Sequence, residues 1–138
     1  MYKPFEDFRK FAPQRKHNQT NTAMDNEKVY AMSFAKIYPL LRQKVERKGR
    51  SQAELDTVIQ WLTGYEAEDL RRMEHEGIAY GDFFTQAPAL NPRRKLIKGS
   101  ICGIKVEEIT EPLMQEIRYL DKLVDELAKG KPIEKICR

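Results

Sequence analysis

Apolar side chains recur through residues 112–129 at Leu113, Ile117, Leu120, Val124 and Leu127, in steps of four, three, four and three, and Met114 and Leu123 widen the stripe. A helix of 3.6 residues per turn places all of them on one side. Glu111 and Pro112 open the segment, and Gly130 with Pro132 closes it, as expected at the two ends of a helix. A stripe this broad predicts a helix at the centre of the domain with other helices wrapped around it.

The chain before it reads as further helices. Ser51 with Glu54 three residues on is a capping box, in which hydroxyl and carboxylate each satisfy an orphan backbone N–H. Leu55, Val58, Ile59 and Leu62 then occupy one helical face, and Gly64 ends it. A third helix is predicted over 66–76. Glu66, Glu68 and Asp69 suit the positive end of its dipole, Leu70 and Met73 face inward, and Gly77 stops it. Upstream, Val29, Phe34, Ile37, Leu41 and Val45 form an approximate stripe that Pro39 interrupts. Proline inside a helix removes a hydrogen bond and crowds the preceding turn. A break or kink is therefore expected at Pro39, which would start a segment running to Lys48 with Gly49 as its cap.

Residues 78–92 are rich in turn formers (Gly81, Pro88, Asn91, Pro92), and Phe83, Phe84 and Leu90 are expected to plug the core from this connection. Asn91 before Pro92 is a helix start. Leu96, Ile97, Ile101 and Ile104 fit a helix after it, while two short strands around a glycine turn, with Ile104 and Val106 alternating, are the competing reading. The predicted class is all-α: a small orthogonal bundle of five or six helices over 27–138, behind a flexible basic N-terminal arm at 1–26. In that arm Phe5, Phe8 and Phe11 recur among basic side chains, and residues 12–26 are polar and without periodicity.

Composition changes this picture little. A chain of 138 residues, 41% apolar and 33% charged, is one ordinary globular domain. It has no run near the roughly 18 apolar residues of a membrane span and no secretory signal pattern, so a cytoplasmic location without membrane contact is expected. Cys102 and Cys137 are far apart in sequence and read as reduced thiols. The net charge of +4 is concentrated in residues 1–24, where Lys3, Arg9, Lys10, Arg15 and Lys16 oppose only Glu6 and Asp7. A basic tail on a nearly neutral body is weak support for a nucleic-acid-binding fold.

Candidate chemistry is sparse. Residues 52–76 have the outline of a helix–turn–helix, but the second helix carries Glu66, Glu68, Asp69, Glu74 and Glu76 against Arg71 and Arg72. Such a helix repels phosphates, so nucleic acid is a disfavoured partner. Two basic groups are candidate anion-binding residues: Arg47, Lys48 and Arg50, beside Arg42 and Lys44, and Arg93, Arg94, Lys95 and Lys98. Solvated surface charge is the commoner explanation for both. Trp61 and Tyr65, one turn apart, are candidate pocket residues, although aromatics so placed are more often core edges. His17 lies in the arm, and His75 has no partner at ligand spacing. No catalytic triad, glycine-rich phosphate loop or metal-ligand pattern is present, so no cofactor or metal is expected.

Several whole phrases resemble one family: MSFAKIYPL (32–40), IQWLTGYEAEDL (59–70), FFTQAPALNP (83–92), ICGIKVEEI (101–109) and PLMQEIRYLDKLVDELAKGKPIEKI (112–136). From about residue 29 to 136 the chain is similar to the mainly bacterial family known as domain of unknown function 2200. The resemblance implies a mainly helical, orthogonally packed domain. It implies no activity and transfers no site residue. Family members begin close to the position of Met24, so the resemblance leaves the arm out. The functional expectation is a non-enzymatic cytoplasmic binding protein, acting on a protein partner or as a homodimer. Phosphate or nucleic-acid binding through the basic clusters, and an enzyme with an unrecognised pocket, are the alternatives.

Overall fold

The computed structural model describes residues 26–138. The arm expected over 1–26 thus lies, apart from Asn26, outside the described residues. The described chain is all-α apart from one two-stranded hairpin. Residues 26–31 form a short helix, α1. It is followed by α2 (Phe34–Arg47), α3 (Gln52–Thr63), α4 (Ala67–Met73) and α5 (Tyr80–Thr85). A 3-10 turn at Pro92–Leu96, strands β1 (Ser100–Ile101) and β2 (Ile104–Lys105) and a second 3-10 turn at Val106–Glu108 lead to α6 (Pro112–Ala128) and α7 (Ile133–Ile136).

The predicted central helix is α6. It packs against α2, α3, α5, α7, β1 and the second 3-10 turn, so the rest of the fold is organised around it. Met114, Ile117, Leu120, Leu123, Val124 and Leu127 are buried in one continuous core, with Leu113 half-buried at its edge. The core is completed by an aromatic stack. Phe83 lies 4.4 Å from Phe34 and 4.8 Å from Tyr65, with Phe84 edge-on to it. The 78–92 connection therefore plugs the core with Phe83 and Phe84, whereas Leu90, expected beside them, is only half-buried and outside the core cluster.

Local signals hold where the backbone supplies its own partners. In α3, Ser51 Oγ accepts from the Glu54 N–H at 3.1 Å, and the Ser51 N–H donates to Glu54 Oε1 at 3.0 Å. Gly64 ends α3 with φ +81°, and a Cβ there would lie 2.9 Å from the Ala89 backbone nitrogen. Both backbone conformation and close approach reserve that position for glycine. The third helix is shorter than predicted, Ala67–Met73 with Glu66 as its N-cap.

One expectation is corrected, and one choice left open between helix and hairpin is settled. The first concerns Pro39, which lies inside α2 and does not begin a new segment. The helix boundary is instead at Met32–Ser33, where Ser33 Oγ caps the Ala35 N–H. The backbone there pairs with the start of α5 through Phe34 N–H to Ile78 O at 2.9 Å and Tyr80 N–H to Met32 O at 2.6 Å. These tertiary bonds replace helical ones at the junction. Pro39 sits on the exposed face near the helix start, where water can meet the carbonyl it leaves unpaired. The second concerns the helix fitted through Leu96–Ile104. Asn91 does cap, with Oδ1 accepting from the Arg93 N–H at 2.9 Å, but only a 3-10 turn follows. The chain then forms the hairpin, with Ser100 opposite Lys105 and Ile101 opposite Ile104. Its two-residue loop has φ +54° at Cys102 and +80° at Gly103, the positive pair of a type I′ turn. No helix among the described residues is long and apolar enough to cross a membrane.

Candidate functional site

The two basic groups do not merge into one patch. In the first, Arg50 is engaged. Its guanidinium grips both oxygens of Glu54 at 3.1 and 2.9 Å, and donates to the Leu127 and Lys131 carbonyls at 3.0 and 2.9 Å. It caps the C-terminal end of α6, where unsatisfied carbonyls attract a cation. Arg47 and Lys48 are exposed at the end of α2. In the second group, Arg94 is bound to Glu116 at 2.8 Å and to the Asn91 carbonyl at 2.9 Å, and Arg93 donates to the Arg138 carbonyl. Lys95 lies over the Tyr119 ring at 5.9 Å, and Lys98 is exposed.

What distinguishes the second group is its apolar company. Leu96 is 53% exposed and Ile104 is 41% exposed, and both lie between residues 92 and 105. That stretch holds Arg93, Arg94, Lys95, Lys98 and Lys105 and no acidic residue. It lies at the surface because the 3-10 turn and hairpin bury only Ile97 and Ile101, leaving their neighbours outward.

The candidate pocket pair serves the core. Tyr65 is buried and donates from its hydroxyl to the Phe83 carbonyl at 2.7 Å. Trp61 is half-buried against the core, and its carbonyl accepts from Asn91 Nδ2 at 3.2 Å.

The structure also contains polar centres that the sequence reading did not single out. At the junction of α2, α3 and α4, the Tyr38 hydroxyl donates to Asp56 and accepts from Gln52 at 3.1 Å and Arg71 at 2.9 Å. Arg71 is also paired with Asp56 at 3.1 Å and Glu74 at 2.7 Å. Burial and the Asp56 carboxylate push the Tyr38 phenol up to about 12. The second arginine of α4, Arg72, is paired with Asp69 at 3.0 Å.

The other centre lies under α5 and α6. Asp121 is 1% exposed, and its Oδ2 accepts from Arg118 at 2.8 Å. Its Oδ1 has no hydrogen-bond partner, and neither has the fully buried Tyr80 hydroxyl. Burial raises both the Asp121 carboxyl and the Tyr80 phenol, with Arg118 opposing each. One turn further along α6, Asp125 is shared by Lys44 of α2 at 3.7 Å and Lys129 at 3.0 Å. Burial lowers the Lys44 ammonium against the attraction of Asp125 and Asp121. Asp125 also borders a groove of about 420 Å³ lined by Lys122, Asp125, Glu126, Lys129, Gly130 and Lys131. Arg118, Asp121, Lys122, Asp125 and Lys129 thus share one polar seam on α6, buried at one end and open at the other. A row of charges at steps of three and four beside the apolar stripe was the available sequence signal. Among the described residues, no group of three or more His, Cys, Asp or Glu side chains is placed to hold a metal ion.

Comparison with known proteins agrees with this architecture. No curated protein matches the chain. A solved structure, the crystal structure of the uncharacterized protein SP1917, shares 52% identity with a TM-score of 0.77, over 80% of this chain and 90% of that one. A family profile described as an uncharacterized protein conserved in bacteria, DUF2200, matches residues 28–138, and the chain belongs to that family.

Proposed function

We propose that the chain is a non-enzymatic binding protein whose contact surface is the stretch 92–105, and that its partner is a protein with an acidic face. One observation carries the reading: two large aliphatic side chains, Leu96 and Ile104, stand open to solvent in a stretch whose charges are all positive. Exposed apolar anchors flanked by cations suit a protein surface, where burial supplies affinity and charge supplies orientation. A phosphate backbone would use the cations and leave the aliphatic groups unrewarded. Both described cysteines are free thiols, in keeping with a reducing compartment, and the proposal includes a cytoplasmic setting.

The test is affinity capture from a bacterial extract, with and without nuclease treatment, using the native chain, Leu96→Ser/Ile104→Ser and Lys95→Glu/Lys98→Glu, all matched for unfolding midpoint. A protein retained by the native chain and lost with either double variant supports the surface. Light scattering of the native chain shows whether that partner is a second copy. Equal retention by all three overturns the proposal. Capture that disappears on nuclease treatment assigns the cations to nucleic acid and overturns it too.

A further inference from the structure

We propose that the 92–105 surface is covered by a second copy of this chain, joined across a two-fold axis that sets Lys105 of each copy against Glu108 of the other. The inference rests on the contact surface proposed above and names its occupant. A two-fold interface uses the same patch on both copies, so the patch must carry its own complement. This one does. Residues 92–105 hold Arg93, Arg94, Lys95, Lys98 and Lys105 and no acid, and residues 106–111, which follow at once, hold Glu107, Glu108 and Glu111 and no cation. The Gly99 N–H donates to Glu107 Oε1 at 3.0 Å, so the fold ties the acidic segment to the base of the hairpin and keeps the two signs side by side.

Most of these charges are engaged within the copy. Arg94 is bound to Glu116, Arg93 to the Arg138 carbonyl, and Lys95 lies over Tyr119. Glu111 Oε2 accepts from Asn26 Nδ2 at 3.4 Å. Lys98, Lys105 and Glu108 are different: they are exposed and make no side-chain hydrogen bond or ion pair among the described residues. The apolar part of the patch lies on the same strand as Lys105. Strand β1 packs on α6, whereas both residues of β2, Ile104 and Lys105, face solvent.

An unrelated acidic protein would satisfy the cations and leave Glu108 against a like charge. A second copy, turned by half a turn, satisfies Lys105 and Glu108 together in both halves of the interface. It also removes Leu96 and Ile104 of both copies from water, and burial of those side chains supplies the attraction. Leu96 and Ile104 are the large apolar side chains left exposed among the described residues, so the dimer is reversible and loosens with salt.

The test is sedimentation velocity of the full chain over about a hundredfold range of concentration. The native chain should pass from monomer to dimer, and Leu96→Ser/Ile104→Ser should weaken the dimer by about tenfold or more. Lys105→Glu and Glu108→Lys should each stay monomeric alone, because like charges then meet in both halves. An equimolar mixture of those two variants should recover the dimer, since each reversed charge meets its opposite. Recovery on mixing requires both variants to be folded, so a damaged variant cannot imitate it. A native chain that is monomeric throughout, a dimer indifferent to the substitutions, or a mixture that stays monomeric overturns the second copy as occupant. The surface reading fails separately: a monomeric native chain that still captures a protein from extract, lost with Leu96→Ser/Ile104→Ser, keeps the surface and overturns only its occupant.

Discussion

Two buried polar centres in this domain are built in opposite ways. Around Tyr38 of α2, partners come from α3 and α4, and one hydroxyl donates once and accepts twice. Around Asp121, one oxygen is paired with Arg118 on the same helix, while the other and the neighbouring Tyr80 hydroxyl have no partner. A satisfied network strengthens the junction it spans. An incompletely satisfied one costs desolvation that its remaining partners offset only in part. The Tyr38 centre therefore acts as a clamp, and the Asp121 centre is retained at a cost to stability.

The largest way to break this comparison is Arg118→Ala. Removing one partner of a buried ion pair strands the other charge, so unfolding in urea should show a loss of about 3–5 kcal/mol. A loss near that of an ordinary surface substitution would mean that Asp121 is already neutral. Tyr38→Phe comes next, since its hydroxyl serves charged groups. About 1.5–3 kcal/mol should go, and the unfolding midpoint should fall with an unchanged denaturant slope. Tyr80→Phe sharpens the contrast, because the hydroxyl it removes is unpaired. Stability should stay within about 0.5 kcal/mol or rise. A drop as large as that of Tyr38→Phe would erase the distinction.

The smallest effects are in pH dependence, and the two centres differ in window. Asp121 is raised by burial, above its ordinary value of 3.8. Its contribution is fully present below that value and lost as pH rises through the folded one, so Asp121→Asn should flatten the weakly acid part of a stability curve. Tyr38 is pushed from 10.0 to about 12. Its contribution is intact below 10.0 and lost as pH climbs toward 12, so Tyr38→Phe should flatten only the alkaline limb. Equal flattening at both ends in either variant would show that the centres are coupled.

Legibility follows the range of the forces involved. The capping box of Ser51 and Glu54 and the stripe of α6 were readable because their causes lie within one or two turns of chain. The start of α2 was not. Pro39 supplied a strong local signal, but backbone bonds between residues 32–34 and 78–80 set the boundary instead. The hairpin was half-legible. Gly103 suggested a turn, whereas the positive φ of Cys102 is a conformation that its residue type disfavours. At the candidate sites, all the basic residues were visible as charges, but which were already engaged was not. Arg94 and Arg50 are bound to groups 22 and 77 residues away, Glu116 and the Leu127 carbonyl.

By itself, the sequence determined the helical class, the central place of residues 112–128 and the ends of α3 and α6, since spacing and capping act on neighbours along the chain. Only the tertiary structure decided that Arg118 and Asp121 are interior, that Lys44 shares Asp125 with Lys129, and that Leu96 and Ile104 stay outside. Periodicity tells which side of a helix a residue occupies. What covers that side comes from distant segments, and their arrival fixes both the cost of a buried charge and the reach of a surface one.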